Sequence, residues 1–482
     1  MNYMDMIRQQ DHSHLALIED GREYSYGDLV ALSEQTSRDT AVFSPDLVSG
    51  RIHWIRKTKI SEQLIEFLAA NERGKIPIIV PIDRKMKSQN ADRLTDSPSA
   101  FWNQEQMLLE QEQKLWDQDI CMGVMTSGST GEPKVLFRSY ESWADYFNTQ
   151  NLIFGINQDS RLFAQGSLAF TGNLNMYLAA FSAGAAVIAQ NAFRPWEWQA
   201  WIEAYQVNAI YLIPSKLMCF PRVLAGNYSD VKTIVSGSQG MNRADAVQLK
   251  NIFPEARITL YYGASELSYI TYITEEEMTD DRGLVGRPFP GVQVAVRDQQ
   301  IYVTTPCCAA GVECPCTVSD QGYLDEMGRL HFTGRSDDIV NVHGRKVSLW
   351  RIEKVLLEQP EIHMAVVLNL PGQKTCHKEQ ETGFTALQGD GDFATCRGER
   401  EIRVAFLVLQ DDMRGDSSVP MDQYTDGGCL ERDEAFRKRL RQTLAGYEMP
   451  GRFIVLPEMP YRENGKVDTE KLQEIWRKRG TV

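Results

Sequence analysis

Short apolar runs alternate with helical patterns over the first two thirds of the chain. Leu64, Ile65 and Leu68 share one face of a helix that is predicted to begin with Ser61 as its cap and to end near Asn71. The runs predicted as strands are 76–80, 185–189, 209–213, 232–235 and 257–263, and further helices are predicted over 174–184 and 242–253. Strands separated by helices predict an α/β fold with a largely parallel sheet.

The pattern changes after about residue 290 to shorter strands, more turns and more charge. A polar turn, "GRSDD", separates two short apolar runs and predicts a boundary near Ser336. We therefore predict a large N-terminal domain over 1–335 and a smaller, mobile α+β domain over 336–482. Two or more domains are also expected from the length of 482 residues. Residues 371–400 and 410–433 have little periodicity and are predicted to be surface loops or insertions.

One loop contains more hydroxyls and glycines than packing requires. "MTSGSTGEPK" at 125–134 follows a strand candidate at 120–125 and is expected to precede a helix. In open parallel sheets, ligands bind beyond the carboxyl ends of strands. Glycines allow backbone N–H groups to approach an anion, and Lys134 adds a positive charge suited to a polyphosphate. The loop does not match the Walker A pattern, and taken alone it is also compatible with an ordinary turn.

Net charge and cysteine usage restrict the partners and the compartment. A net charge of −14 argues against a nucleic-acid partner. The N-terminus lacks the pattern of a signal peptide, and the most apolar segment, 174–189, is too short to span a bilayer, so a cytoplasmic location is expected. The nine cysteines are then expected to be mostly thiols. Cys307, Cys308, Cys314 and Cys316 form a cluster that could bind zinc but lacks paired C-x-x-C spacing, and free thiols are the alternative.

Several motifs along the chain resemble those of one family. "TSGSTGEPK" at 126–134 resembles the signature of the adenylate-forming superfamily, which includes acyl- and aryl-CoA synthetases, adenylation domains of nonribosomal peptide synthetases, and luciferases. The segment at 16–29 resembles the family's opening. The later motifs follow in the family's order: "YYGASE" at 261–266, "VGRPFPGVQV" at 285–294, the run at 319–353, and "YEMPGRFIVLPEMPYRENGKVD" at 447–468.

The resemblance implies a two-step reaction that uses ATP and Mg²⁺. A carboxylate attacks the α-phosphate of ATP, which gives an acyl-adenylate and pyrophosphate. The acyl group then passes to a thiol, either of CoA or of phosphopantetheine on a separate carrier protein. The smaller domain is expected to rotate between the two steps.

The resemblance also implies roles for individual residues in nucleotide binding. Glu266 matches the carboxylate that helps to hold Mg²⁺, and Tyr262 matches the residue that stacks on adenine. Ser238, within "SGSQG", and Ser265, where the family usually has threonine, are expected to line the nucleotide. The residues that match the phosphate loop are Thr126, Ser127, Gly128, Ser129, Thr130, Gly131 and Lys134.

Four charged residues in the last third of the chain match further family positions. Asp320 is expected to bind the ribose hydroxyls and Arg335 to assist it, although "VSDQGY" stands where the family usually has T-G-D. Asp337 matches the hinge. Lys466 in "ENGKVD" matches the lysine that bridges the substrate carboxylate and the α-phosphate, where a cation offsets repulsion between two anions.

The acid pocket is expected to include Phe170, Thr171, Tyr261, Tyr269 and Ile270. Amino-acid-activating domains usually have an aspartate where this chain has Thr171, which makes an α-amino acid less favoured, because a buried ammonium needs a counter-ion. The two tyrosines would narrow the pocket and favour an aryl or short acyl acid, unless they pack outward.

An ATP-dependent acid–thiol ligase that acts on a small carboxylic acid is the main hypothesis. One alternative is a stand-alone amino-acid adenylation enzyme that loads a separate carrier protein. A separate hypothesis is that the segments 371–400 and 410–433 contact a carrier protein. Another alternative is a non-catalytic protein that senses nucleotide or acyl ligands. Such a sensor would be expected to have lost Lys466, Glu266 or Lys134, and all three are present.

Overall fold

The structure is a computed structural model that describes nine parts of the chain. These are residues 1–43, 51–81, 119–127, 133–342, 345–372, 401–409, 430, 433–461 and 467–479. The described residues form two compact units, and the boundary between them in the sequence lies between Thr333 and Gly334.

The first unit contains helices and strands in alternation. Its described helices are α1 (Tyr3–Arg8), α2 (Tyr26–Arg38), α3 (Ile60–Glu72), α4 (Glu141–Phe154), α5 (Thr171–Ser182), α6 (Trp198–Ala204), α7 (Pro214–Leu217), α8 (Phe220–Val223) and α9 (Arg243–Ile252). Its first eleven described strands are β1 (Leu15–Glu19), β2 (Arg22–Ser25), β3 (Ile52–Ile55), β4 (Ile76–Ile79), β5 (Ile120–Ser127), β6 (Pro133–Ser139), β7 (Arg161–Gln165), β8 (Ala186–Gln190), β9 (Ala209–Tyr211), β10 (Thr233–Gly237) and β11 (Arg257–Ala264). They are followed by β12 (Ser268–Thr274), β13 (Leu284–Pro288), β14 (Gln293–Arg297), β15 (Gln300–Thr304), β16 (Asp320–Leu324) and β17 (Leu330–Arg335). The last two residues of β17 already belong to the second unit.

The described strands of this unit form two sheets. The larger has thirteen strands in the order β14-β15-β16-β17-β13-β12-β11-β10-β9-β7-β8-β1-β2. From β11 to β1 in that order, each strand is parallel to the next. The smaller sheet has the order β3-β4-β5-β6, with β6 antiparallel to β5. The predicted α/β fold with a largely parallel core is confirmed.

Alternating residues of the parallel strands pack on opposite sides of the larger sheet. Leu17 and Val235 belong to one hydrophobic cluster, which also contains residues of α2, α4 and α5. Their neighbours Ile18 and Ile234 belong to a second cluster with residues of α6 to α9. Because successive side chains of a strand point to opposite faces, this alternation shows that helices cover both faces of the sheet.

The start of α3 differs from its prediction. The cap position is occupied by Lys59, and Ser61 lies within the helix. The backbone N–H groups of Ile60 and Ser61 donate instead to the Glu19 carboxylate, at 2.6 and 2.8 Å. A buried carboxylate from β1 therefore satisfies the donors that a capping serine was expected to satisfy, and its negative charge suits a helix N-terminus.

The glycine-rich loop joins two strands. Its ends are Ser127 on β5 and Pro133 on β6, which are paired in an antiparallel register. The expected helix does not follow directly, because the chain first runs through β6 before α4 begins at Glu141. The prediction that the loop follows a strand at 120–125 is confirmed.

The second unit is smaller and contains two sheets. Its described elements are β18 (Ile339–Val342), β19 (Arg345–Ser348), α10 (Leu349–Leu357), β20 (Ile362–Pro371), β21 (Glu401–Leu409), α11 (Glu434–Thr443), β22 (Arg452–Val455) and α12 (Thr469–Arg479). Strands β18 and β19 pair with each other, and β20, β21 and β22 form a three-stranded sheet. A smaller C-terminal α+β domain is therefore confirmed. In the part of the chain that the structure describes, no helix is long and apolar enough to cross a membrane.

Candidate functional site

The residues predicted to bind adenine and ribose lie together in the first unit. The Tyr262 hydroxyl, near the end of β11, donates to Asp320 Oδ2 on β16 at 2.5 Å. The ring of Tyr262 is also 5.9 Å, centroid to centroid, from that of Phe332. Asp320 is only 2% exposed, whereas Tyr262 is half-buried. The sheet thus brings together two residues that are 58 positions apart in sequence.

The segment 236–240 begins with the last two residues of β10, the strand that pairs with β11. Ser238 has a φ of +69°, in the left-handed region that residues other than glycine rarely adopt. Such backbone geometry costs free energy and is found disproportionately at ligand sites. At Gly240, a Cβ atom would lie 2.5 Å from the carbonyl oxygen of Arg282. The segment therefore has a backbone path that its packing strongly constrains.

Glu266 lies in the turn between β11 and β12. Glu266 is half-buried, and its backbone carbonyl accepts a hydrogen bond of 2.7 Å from the Ala309 N–H. No described basic side chain forms an ion pair with its carboxylate. A carboxylate oxygen is a ligand that Mg²⁺ prefers, so the chemistry of this side chain fits its predicted role.

Arg138 on β6 is a site residue that the sequence analysis missed. Its side chain is fully buried. Its Nη2 donates to the carbonyl of Ser265 at 2.5 Å, and its Nη1 donates to the carbonyl of Cys307 at 3.0 Å. Arg138 thereby connects the strand that carries Lys134 to the turn that carries Glu266. The available signal was a charged residue within an apolar strand run, where burial of the charge requires specific partners.

The structure describes the other residues predicted to bind the nucleotide or to form the hinge only in part. Thr126 is half-buried and pairs in register with Lys134, whose side chain is exposed. Arg335 is exposed and belongs to the second unit. Only the backbone is described for Ser127 and for Asp337, which lies in a short 3₁₀ helix. Five predicted residues lie outside the described residues: Gly128, Ser129, Thr130, Gly131 and Lys466.

Tyrosines of the predicted acid pocket pack inward, in a buried aromatic cluster. The rings of Tyr261 and Tyr269 are edge to face, with centroids 4.8 Å apart. The hydroxyl of Tyr261 is 2.9 Å from that of Tyr211, and the hydroxyl of Tyr269 donates to Asn175 Oδ1 at 2.8 Å. Burial raises the pKa of Tyr261 to about 12, so its hydroxyl is neutral at neutral pH. Whether these side chains line the acid pocket stays a prediction.

Two glycines allow the tyrosines to pack this closely. A Cβ atom at Gly237 would lie 2.4 Å from Tyr261 Cζ, and one at Gly172 would lie 2.5 Å from the Tyr211 hydroxyl and 3.1 Å from Phe170 Cε1. The sequence analysis did not predict Tyr211 as a member of this cluster. The available signal was its position at the end of β9, the strand parallel to β10.

The other predicted pocket residues lie near the same cluster. Phe170 is the cap residue of α5, and Thr171 is the first residue of that helix. Both are half-buried, whereas Ile270 is fully buried. Whether Ile270 lines the pocket stays a prediction.

The cysteine cluster lies beside the Glu266 turn. Cys307, Cys308, Cys314 and Cys316 are free thiols, and Cys307 is buried. Among the described residues, no group of three histidine, cysteine or acidic side chains is placed to hold a metal ion. A cavity of about 420 Å³ lies between the start of α4 and residues 306–311.

The comparisons with known proteins identify the family. The family model of AMP-binding enzymes matches residues 40–311, more than half of the 482-residue chain. The chain belongs to the AMP-binding enzymes. The predicted membership of the adenylate-forming superfamily is thereby confirmed, and so is the prediction that the protein is an enzyme.

Curated relatives of this AMP-binding enzyme include an uncharacterized acyl-CoA ligase, YhfT, of Bacillus subtilis (strain 168). The two are 29% identical over 265 residues, which is 52% of this chain and 55% of YhfT, so the match spans about half the length of that relative. A putative long chain fatty acid-CoA ligase, VraA, of Staphylococcus epidermidis (strain RP62A) is 22% identical over 78% of this chain and 85% of VraA.

A solved structure with the same fold is the o-succinylbenzoate CoA synthetase MenE of Bacillus subtilis, in complex with the acyl-adenylate intermediate OSB-AMP. The match covers 98% of both chains with a TM-score of 0.69 and 18% identity. At this identity the similarity shows a common fold.

Proposed function

We propose that this AMP-binding enzyme activates a small carboxylic acid with ATP and transfers the acyl group to a thiol. The observation that carries the proposal is the arrangement around the end of β11. There, Tyr262 hydrogen-bonds Asp320, and Glu266 follows four residues later in the adjoining turn. A stacking ring, a buried carboxylate for hydroxyl groups and a carboxylate for a metal are the groups that a Mg-ATP site requires.

Each described residue has a defined task in the first step. Tyr262 would stack on the adenine, and the Asp320 carboxylate would accept hydrogen bonds from the ribose hydroxyls. Glu266 would hold Mg²⁺, and the bound ion would neutralise part of the phosphate charge. Lys134, whose side chain is exposed, would neutralise the outer phosphates. Lys466, which lies outside the described residues, would bridge the attacking carboxylate and the α-phosphate.

The aromatic cluster supports an aryl or short acyl acid as substrate. Tyr261 and Tyr269 are buried and in contact, and Tyr211 closes the cluster through its hydroxyl. The proposed pocket wall formed by this aromatic cluster is partly polar, because it contains three tyrosine hydroxyls and Asn175. A partly polar wall disfavours a long alkyl chain. Thr171, in place of an aspartate, provides no counter-ion for an α-ammonium group.

The thiol acceptor is proposed to be CoA, with phosphopantetheine of a carrier protein as the alternative. Support for CoA comes from the names of the relatives YhfT and VraA, both acyl-CoA ligases. We further propose that residues 1–335 bind the nucleotide and the acid, and that residues 336–482 rotate between the steps. Asp337, the proposed hinge, lies four residues beyond Thr333, at which the first unit ends.

The test is acid-dependent exchange of labelled pyrophosphate into ATP, with separate pools of aryl, short-chain, long-chain and amino acids. Exchange is expected with the aryl or short-chain pool. Glu266→Gln should reduce it by roughly 10- to 100-fold. Glu255→Gln, an exposed residue near the opposite end of β11, is the matched control and should leave exchange unchanged. Lys466→Ala is expected to abolish the exchange.

Other outcomes identify the alternatives. Exchange with the amino-acid pool alone would indicate an amino-acid adenylation enzyme. Absence of exchange with every pool, in protein that binds ATP, would refute the proposal in favour of a nucleotide sensor. Mass spectrometry of the product formed with CoA, or with a phosphopantetheinylated carrier protein, then identifies the acceptor.

A further inference from the structure

Arg138 is a buried cation for which simple packing offers no explanation. It is completely buried, and its Cζ lies 5.0 Å from the centroid of the Trp143 ring. Its Nε has no hydrogen-bond partner among the described residues. An arginine buried in this way costs free energy, and an apolar side chain of similar volume would often be as stable or more stable.

The contacts of Arg138 converge on the turn that carries Glu266. One arm of the guanidinium binds the carbonyl of Ser265, the residue before Glu266. The other binds the carbonyl of Cys307, and it is also 3.5 Å from the Ser142 hydroxyl. The fork of a guanidinium can hold two carbonyls in fixed relative positions, which a single ammonium group cannot do.

The segment of Cys307, which Arg138 binds, also binds the backbone of Glu266. Ala309 N–H donates to the Glu266 carbonyl at 2.7 Å, and Ala310 N–H donates to the Phe137 carbonyl at 2.8 Å. Strand β6, residues 307–310 and the Glu266 turn are therefore connected in a closed loop of contacts. The Arg138 side chain contacts both of the other two segments.

The charge of Arg138 is close enough to act on Glu266 as well. Burial lowers the pKa of Arg138 to about 10, and the nearby charge of Glu266 acts in the opposite direction. The guanidinium is thus protonated at neutral pH.

We propose that Arg138 is a positioning residue that fixes the Glu266 turn, so that the Glu266 carboxylate is held ready for the metal ion of a metal–nucleotide complex. This inference rests on the proposed function, because it requires that Glu266 holds the metal. Arg138 lies outside the sequence motifs that resemble the family, and the proposal gives this buried cation a functional role.

Direct binding of Mn²⁺, used in place of Mg²⁺, tests the proposal without turnover. Electron paramagnetic resonance measures free Mn²⁺ in the presence of the full-length protein and ATP. Arg138→Met should raise the dissociation constant of Mn²⁺ by roughly 10- to 100-fold, as is typical when the partner of a metal ligand is removed. Arg138→Lys keeps the charge but loses the fork, so it should give an intermediate value.

Two controls separate positioning from folding. Arg161→Met removes an arginine that also binds a backbone carbonyl, that of Tyr205, but at the start of β7 in the larger sheet, and it should leave Mn²⁺ binding unchanged. Binding of ATP without metal should change by less than about threefold in Arg138→Met, because the turn positions the metal ligand rather than the adenine pocket. If Arg138→Met does not fold, Arg138→Lys alone decides the question.

Each remaining result overturns a defined claim. Folded Arg138→Met or Arg138→Lys that binds Mn²⁺ as the wild type does would overturn the positioning role and leave the proposed function intact. Wild-type protein that binds ATP but no Mn²⁺ would overturn the metal role of Glu266, and the positioning role with it.

Discussion

The hydroxyl pair of Tyr211 and Tyr261 makes an unusual prediction about stability. The two hydroxyls are 2.9 Å apart in the interior, and both residues are almost completely buried. Replacing either tyrosine by phenylalanine leaves the other hydroxyl buried without this partner. The loss should be about 1–3 kcal/mol, because a buried unpaired group has lost its hydration without compensation.

The double variant Tyr211→Phe/Tyr261→Phe should be more stable than the sum of the single effects implies. Both hydroxyls are then absent, the ring shapes are kept, and no polar group remains unpaired at this contact. Removal of both partners of a hydrogen bond can be nearly neutral. With each single variant losing about 1–3 kcal/mol and the double variant nearly neutral, the interaction energy should be about 2–6 kcal/mol in favour of the double variant.

The assay is urea denaturation followed by hydrogen-exchange mass spectrometry of peptides that cover β9 and β11. This readout isolates the first unit, which is necessary because a chain with two units need not unfold in one step. Tyr323→Phe, at a residue that is 49% exposed, is the control and should change the free energy of unfolding by less than about 0.5 kcal/mol. Strictly additive losses, or single variants as stable as the control, would refute the reasoning.

Three further predictions concern other described residues. Gly237→Ala should destabilise the first unit by about 1–3 kcal/mol and raise the KM for the acid, because the added Cβ would overlap the Tyr261 ring. An unfolding midpoint equal to that of the wild type would contradict the close contact. Asp320→Ala should weaken AMP binding by about 10- to 100-fold in calorimetry, since hydrogen bonds to a charged group are lost; unchanged affinity would remove Asp320 from the ribose site. Burial raises the pKa of Glu353 from 4.5 to about 8, so the folded state retains a proton that the unfolded state releases, and the stability of the second unit should fall as the pH rises from about 4.5 through about 8. Glu353→Gln should flatten this dependence in hydrogen exchange of β20, and equal slopes in both proteins would exclude Glu353 as its source.

The local pattern was sufficient to predict elements whose signals lie within one stretch of sequence. The helix predicted from Asn242 is present as α9, and Asn242 and Asp245 form a reciprocal capping box at its start. The apolar runs of the parallel core are strands, with shifts of a few residues at their ends. These predictions succeeded because periodicity and caps are properties of neighbouring residues.

Features that depend on distant residues were not predictable in the same way. Ser61 is a good capping residue type, but the carboxylate of Glu19 reaches the same N–H groups from another strand. The importance of Arg138 and Tyr211 depends on contacts with distant residues, among them Ser265, 127 positions from Arg138, and Tyr261, 50 positions from Tyr211. The motifs indicated Tyr262 and Asp320 by resemblance, whereas their direct hydrogen bond required the sheet order that places β16 and β11 in one sheet.

The contact between Glu19 and α3 has a consequence for how the first unit loses its structure. Glu19 lies on a strand of the thirteen-stranded sheet, and α3 leads directly into β4 of the four-stranded sheet. Separation of the two sheets would break the hydrogen bonds between the buried Glu19 carboxylate and the first N–H groups of α3. The two sheets are therefore expected to melt as one cooperative block, so the strand that leads into the glycine-rich loop shares the thermal resistance of the large sheet.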